Sequence, residues 1–384
     1  MFGRRITLFK LLGFAVRVDA SWLIIAALVT WTLAAGVFPR YYPGLPASDY
    51  FWMGLAGAIL LFGSIVVHEL CHALAARRYG IPMKGITLFV FGGIAEMDEE
   101  PPSWNAEFTM AIAGPLASVV IGFIFYVLQQ VFRDQAPVQL IGVMGYIARI
   151  NWILAAFNMI PAFPLDGGRV LRSLLWRRGG NLRAATRTAS RIGSAFGNGL
   201  MVLAVFELFF GGVISALWWF LIGMFLKSLA RSSYQQVLIS SALQGEPVSR
   251  FMQSHPDTVT SRMSIAELVN GHIYRFRHRM FPVLADSDRL EGCVTSEQVK
   301  TVPREEWNAR TVEEIVQPCT PANTITPDTD SIEALRLMQQ SHNSGLMVAE
   351  NGRLVAVVSL KDLMEFLSTK LELEGGGFTG LRAA

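Results

Sequence analysis

Apolar residues run in long, nearly unbroken stretches through about the first 230 positions, then give way to short segments with ordinary charge and turn chemistry. Crossing a hydrocarbon core about 30 Å thick takes about 20 apolar residues in a helix. By that rule the first part divides into six spans, over residues 20–38, 52–75, 105–132, 138–165, 190–210 and 212–230. Composition agrees with this division. Hydrophobic residues make up 52% and charged residues 16%, with a mean hydropathy of +0.39, where soluble domains carry about 25% charged residues.

Basic residues set the orientation. Arg4, Arg5, Lys10 and Arg17 precede the first span, and Arg77, Arg78 and Lys84 follow the second. Arg169, Arg172, Arg177, Arg178, Arg183, Arg187 and Arg191 separate the fourth and fifth, and Lys227 and Arg231 follow the sixth. The alternate loops carry little more than Arg40 and Arg133. Positive charge marks the cytoplasmic side, so a multi-pass protein of the cell membrane is expected, with both termini in the cytoplasm. No small-residue cleavage site follows the basic start, so the first span reads as retained. The net charge of +3 is this topological bias and gives no reason to expect a nucleic-acid partner. Cys71, Cys293 and Cys319 imply no disulfide framework.

Near the inner end of the second span stands His68-Glu69-Leu70-Cys71-His72. On a helix, residues four apart share a face, so the two imidazoles can reach one ion. Glu69 lies about 100° around the helix, placed to act on a water rather than to ligate. Two nitrogen ligands, an open position and a nearby carboxylate make up the zinc peptidase arrangement. Cys71 between them reads as a small buried filler rather than a ligand.

The fourth span also runs inward and ends in Asn158-Met-Ile-Pro161-Ala-Phe-Pro164-Leu-Asp166-Gly167-Gly168. Two prolines stop the helix and the glycine pair permits a tight turn, leaving Asp166 on irregular backbone at the depth of the histidines. There Asp166 is either a turn residue or the third ligand of a His68, His72, Asp166 site. The matching depth favours the ligand.

These two motifs, in this order and on this topology, resemble the site-two protease family of intramembrane zinc metalloproteases over about residues 10–230. The resemblance implies hydrolysis of a peptide bond in or near the bilayer, in single-pass membrane protein substrates. It implies one Zn²⁺ per chain on His68, His72 and Asp166, with Glu69 as general base. Asn158 would hold the substrate backbone or the developing oxyanion, its alternative being an interhelical hydrogen bond.

Residues Lys84 to Met97, with Gly92-Gly93 among β-branched and aromatic neighbours, predict a small membrane-associated β-hairpin. Its edge either pairs with an unwound substrate segment or plugs the bundle. Glu96 is an alternative ligand, although Asp98, Glu99 and Glu100 beside it suggest a solvated acidic loop. Gly114, Ser118 and Gly122 recur every four residues in the third span and read as a helix-packing face, matching the family's Ala113-Gly-Pro-Leu-Ala-Ser118 type of sequence. Arg149 falls mid-span. Either it reaches water or a carboxylate, or residues 138–148 lie on the outer surface. Glu207 is expected to snorkel from the outer end of the fifth span.

The polar part repeats itself after about 64 residues. Val248-Ser-Arg-Phe-Met aligns with Val312-Glu-Glu-Ile-Val, and the run Arg289 to Gln298 with Arg353 to Asp362. Each copy reads as strand, helix, strand, strand, helix. This is similar to a pair of cystathionine-β-synthase (CBS) domains, which implies an adenine nucleotide ligand and face-to-face homodimers, or a pair used only for packing. In that family a Thr or Ser followed three residues later by Asp approaches phosphate and ribose. Ser359 and Asp362 keep the pattern, whereas Thr295 is followed by Gln298, which puts the first site in doubt.

The expected fold is an α-helical polytopic membrane protein followed by an α/β tandem CBS module. Its domains are a protease at 1–235, CBS copies at 246–305 and 306–370, and a flexible tail at 371–384. The leading reading is an intramembrane zinc endopeptidase regulated or dimerised by its CBS pair. The alternative is a CBS-regulated channel or transporter that uses the histidines and Asp166 as ion ligands.

Overall fold

The computed structural model describes residues 6–81, 83–89, 92–97, 100–276, 278–285, 289–341 and 343–373. These group into two compact units, Met1–Gln235 and Gln236–Ala384.

Among the described residues six helices are long and apolar enough to cross a membrane: Ser21–Tyr41, Ala47–Arg78, Trp104–Val131, Val138–Asn158, Leu182–Phe209 and Val213–Leu243, the last of which begins in the first unit and ends in the second. Large apolar side chains such as Ile24, Trp31, Phe123 and Phe206 point outward, while Ala58, Ala73, Ala111 and Ala148 are buried. Hydrocarbon outside removes any reason to hide leucine, and small residues let helix backbones approach. Asp19 starts the first helix by accepting from the Ser21 amide, and Ser103 starts the third by accepting from the Ala106 amide.

The fourth span is shorter than the 138–165 expected. It ends at Asn158, and Asp166 then opens a new helix, Asp166–Gly179. Asp166 therefore sits at a helix start rather than on irregular backbone. The prolines at 161 and 164 break the first helix, and Gly167 and Gly168 let the next begin against the bend. A Cβ on Gly167 would lie 2.3 Å from the Met159 carbonyl oxygen, and one on Gly168 would lie 2.3 Å from the Phe163 amide. The fifth span begins eight residues earlier than expected, at Leu182, where Asn181 caps it. Arg149 is exposed on its helix, and residues 138–148 belong to the span rather than lying apart from it. The helix Val138–Asn158 is continuous, and the Arg149 guanidinium lies 5.1 Å from the centre of the Tyr41 ring. Glu207 is tied by the Ser215 hydroxyl, which donates to it at 2.9 Å, and is not a free snorkelling group.

The expected hairpin is half of a larger sheet. Strands β1 (Ile6–Leu11), β2 (Phe14–Val18), β3 (Met83–Phe89) and β4 (Gly92–Met97) form a sheet in that order, antiparallel except between β2 and β3. The turn at Leu12-Gly13 has positive φ at both residues, the geometry of a tight hairpin. Phe14, Val16 and Val18 bury their side chains, two of them against the second span's Val66 and one against Leu70 and Ala73. The Glu96 side chain, Asp98 and Glu99, weighed above as a ligand and an acidic loop, lie outside the described residues.

In the second unit the repeat is realised as two sheets. One orders β5 (Val259–Thr260), β6 (Met280–Leu284), β7 (Leu290–Thr295) and β8 (Gln317–Pro318); the other orders β11 (Arg353–Ser359), β10 (Gly345–Glu350) and β9 (Thr324–Ile325). Each copy has its own apolar core, one around Leu268, Phe281 and Val283, the other around Leu346, Val348 and Leu367. Arg289 and Arg353, which occupy equivalent places in the repeat, pair through their backbones in an isolated antiparallel bridge.

Candidate metal centre

The site begins with the second span, Ala47–Arg78, whose single long helix puts His68 and His72 one turn apart with ring centres 4.9 Å apart. Both rings are buried, at 3% and 5% exposure. The helix starting at Asp166 brings its carboxylate to them, and Oδ2 lies 3.2 Å from both Nε2 atoms. The three ligand atoms lie within 4.8 Å of one another, the one such cluster of His, Cys, Asp or Glu among the described residues. Glu69 follows His68 on the same helix, between the two ligand histidines.

Hydrogen bonds decide which nitrogens face inward. His72 Nδ1 lies 2.6 Å from the Met110 carbonyl oxygen, which can only accept, so Nδ1 carries the proton and the neutral ring presents a bare Nε2. His68 Nδ1 meets the Ser118 hydroxyl at 2.9 Å, a partner that holds the ring's orientation and can either donate or accept. Two imidazole nitrogens and a carboxylate oxygen thus face one another within 4.8 Å. Such a convergence is repulsive without a cation, and the donor set, two imidazoles held by outer hydrogen bonds plus one carboxylate, fits Zn²⁺.

The sequence reading named the ligands and missed their supports. Ser118 is fully buried and serves His68, where a packing role was expected. Arg172, taken as a topological charge, is buried and pairs with the fully buried Glu107 of the third span, its Nη2 also reaching Glu100 at 3.4 Å. That pair, with the guanidinium 5.0 Å from the Phe163 ring centre, anchors the helix that carries Asp166. Asn151 is buried and donates from Nδ2 to the Ser64 hydroxyl at 3.1 Å, one turn before His68. Charged or amide residues inside apolar runs are the signal that marks Glu107 and Asn151 in the sequence. Asn158 is half-buried at the end of its helix.

In the second unit, Ser359 and Asp362 cap one helix start. Asp362 Oδ2 accepts from the Ser359 amide at 2.8 Å and from its hydroxyl, and Oδ1 accepts from Gln253 Nε2 at 3.0 Å. Thr295 and Gln298 make the corresponding capping box in the first copy. Gln298 thus keeps the capping function of the Asp it replaces.

The sequence matches the family Peptidase family M50 over residues 56–137 and 130–203, and CBS domain over residues 312–369. The relatives include two proteins named putative zinc metalloprotease. One is sll0528 of Synechocystis sp., 32% identical over 367 residues covering 94% of each chain. The other is Rip3 of Mycobacterium tuberculosis, 30% identical over 365 residues covering 94% of this chain and 92% of that one. Among solved structures, the Site-2 Protease from Methanocaldococcus jannaschii is 28% identical with a TM-score of 0.42, covering 60% of this chain and 94% of that one.

Proposed function

Because the chain belongs to peptidase family M50, the site-two protease family, and is a multi-pass membrane metalloprotease, we propose that it cleaves transmembrane segments of single-pass membrane proteins. The observation that carries this reading is the convergence of His68 Nε2, His72 Nε2 and Asp166 Oδ2 beside Glu69. Membership of a peptidase family also decides against the channel or transporter alternative. The protease occupies residues 1–235, the CBS copies 246–305 and 306–370.

His68, His72 and Asp166 hold one Zn²⁺ per chain. Zinc bound there supplies a Lewis acid for the scissile carbonyl and lowers the pKa of water. Glu69 takes a proton from the attacking water as its oxygen bonds to the carbonyl carbon, and returns that proton to the amine as the C–N bond breaks. Asn158, at the end of the inward-running fourth span, donates to the substrate backbone or to the oxyanion. Substrate has to be extended to be cut, and β4, at the edge of the four-stranded sheet, offers a strand to pair with.

Both termini face the cytoplasm of the cell membrane, as the basic loops indicate. The CBS pair regulates the protease or joins two chains as a homodimer. An adenine nucleotide on Ser359 and Asp362 would have to displace Gln253 from the Asp362 carboxylate, which makes the second copy the responsive one.

The test is Glu69→Gln in purified full-length protein, reconstituted with a single-pass model substrate. Zinc content should stay at the wild-type level while the cleaved product disappears. Continued cleavage by that variant, or a wild-type protein that holds no zinc, would overturn the reading.

A further inference from the structure

Three positions of the third span, spaced four residues apart on one face, meet the two histidines in turn. The Met110 carbonyl accepts a hydrogen bond from His72 Nδ1, and the Ser118 hydroxyl holds His68 Nδ1. Gly114 lies between them. A Cβ built on Gly114 would stand 2.2 Å from His72 Nε2, 2.5 Å from His68 Nε2 and 2.6 Å from His72 Cε1, and these are its three nearest neighbours. Bonds from zinc to imidazole nitrogen are about 2.0–2.1 Å long. A carbon that close to both inward-facing nitrogens would fill the space in which they have to share an ion.

The other small residues compared with it behave differently. A Cβ on Gly122, two turns along the same helix, would meet the Trp152 ring at 2.5 Å and the Ala148 carbonyl at 3.0 Å. A Cβ on Gly193 would meet the Phe163 carbonyl at 1.9 Å. Those glycines let helices and backbone pack. At Gly114 the obstacle is the pair of ligand rings.

We propose that Gly114 is a positioning residue of the metal centre, keeping open the space where His68 and His72 bind one metal ion, so that any side chain at this position excludes the ion. This rests on the reading of those histidines as zinc ligands. The third span thereby serves the site three ways from one face: it orients one ring, vacates the centre and orients the other ring.

The experiment measures zinc per chain, by elemental analysis and by competition with a chromogenic chelator, in full-length wild type, Gly114→Ala, Gly122→Ala and His68→Ala/His72→Ala. Gly114→Ala should lose at least tenfold in zinc affinity, while Gly122→Ala keeps wild-type zinc in whatever fraction folds. Thermal midpoints supply the second readout. In the His68→Ala/His72→Ala background the atoms that obstruct the new methyl group are gone, so adding Gly114→Ala should leave the midpoint unchanged. Should Gly114→Ala fail to fold with the histidines present, recovery in that background supports the proposal equally. Wild-type zinc affinity in Gly114→Ala overturns it, and so does an equal loss of stability in both backgrounds, the mark of a packing glycine. Wild type without zinc, or His68→Ala/His72→Ala with wild-type zinc, would sink the ligand assignment itself and this proposal with it.

Discussion

The two units bury opposite kinds of residue. In the second unit the buried polar residues among those described are Asn323 and Ser331, both hydrogen-bonded, and the interior is otherwise aliphatic and aromatic. In the first, the interior holds His68, His72, Glu107, Asn151 and Arg172, while tryptophan, phenylalanine and isoleucine cover the outside. Water drives the second arrangement, since apolar area there gains from leaving it. Hydrocarbon abolishes that gain, and what remains favourable to bury in the membrane unit is the polar group that finds a partner. A hydrophobic residue therefore marks the core in one half of this chain and the surface in the other.

That contrast can be tested by removing comparable groups from each side. The largest effect is expected at Glu69, where Glu69→Gln should lower turnover of a membrane substrate by about 10²–10⁴-fold with zinc retained; retained turnover would detach this carboxylate from the chemistry. Next comes Glu107→Ala, which leaves the Arg172 charge buried with Glu100 at 3.4 Å. It should cost about 3–5 kcal/mol, read as a lowered unfolding midpoint in detergent, and a change within error would show that water reaches Arg172.

Ser118→Ala removes the partner of His68 Nδ1 and should weaken zinc by about 10–100-fold in chelator competition, without a matching loss of fold. The smallest effect belongs to the second unit. Arg310 pairs with Glu306 at 2.7 Å, but the two side chains are 45% and 43% exposed. Arg310→Ala should therefore change stability by about 0–1 kcal/mol. A cost there as large as that of Glu107→Ala would erase the distinction between the two environments.

Much of the fold was readable because its signals are local. Apolar runs of membrane length gave the spans, and the repeat of about 64 residues gave two copies of strand, helix, strand, strand, helix. His68 and His72 were readable because helical periodicity alone puts them together. The N-terminal hairpin was missed although Leu12-Gly13 between alternating residues announces a tight turn, because the basic residues around it had already been given a topological role. Arg172 was missed for the same reason. A sequence does not say which of several arginines near a membrane surface turns inward to meet Glu107.

By itself the sequence determined which residue types sit on which helix, where proline ends the fourth span, and that two imidazoles share a face, since each of these depends on neighbours within a few residues. Only the tertiary structure decided that Asp166 starts a helix at the histidines, that Ser118 and the Met110 carbonyl hold the rings, and that a Cβ on Gly114 would stand against both Nε2 atoms. Those facts depend on groups dozens of residues apart meeting within a few ångströms. Helical periodicity fixes the direction of a side chain along its own helix and is silent on which other helix it will face.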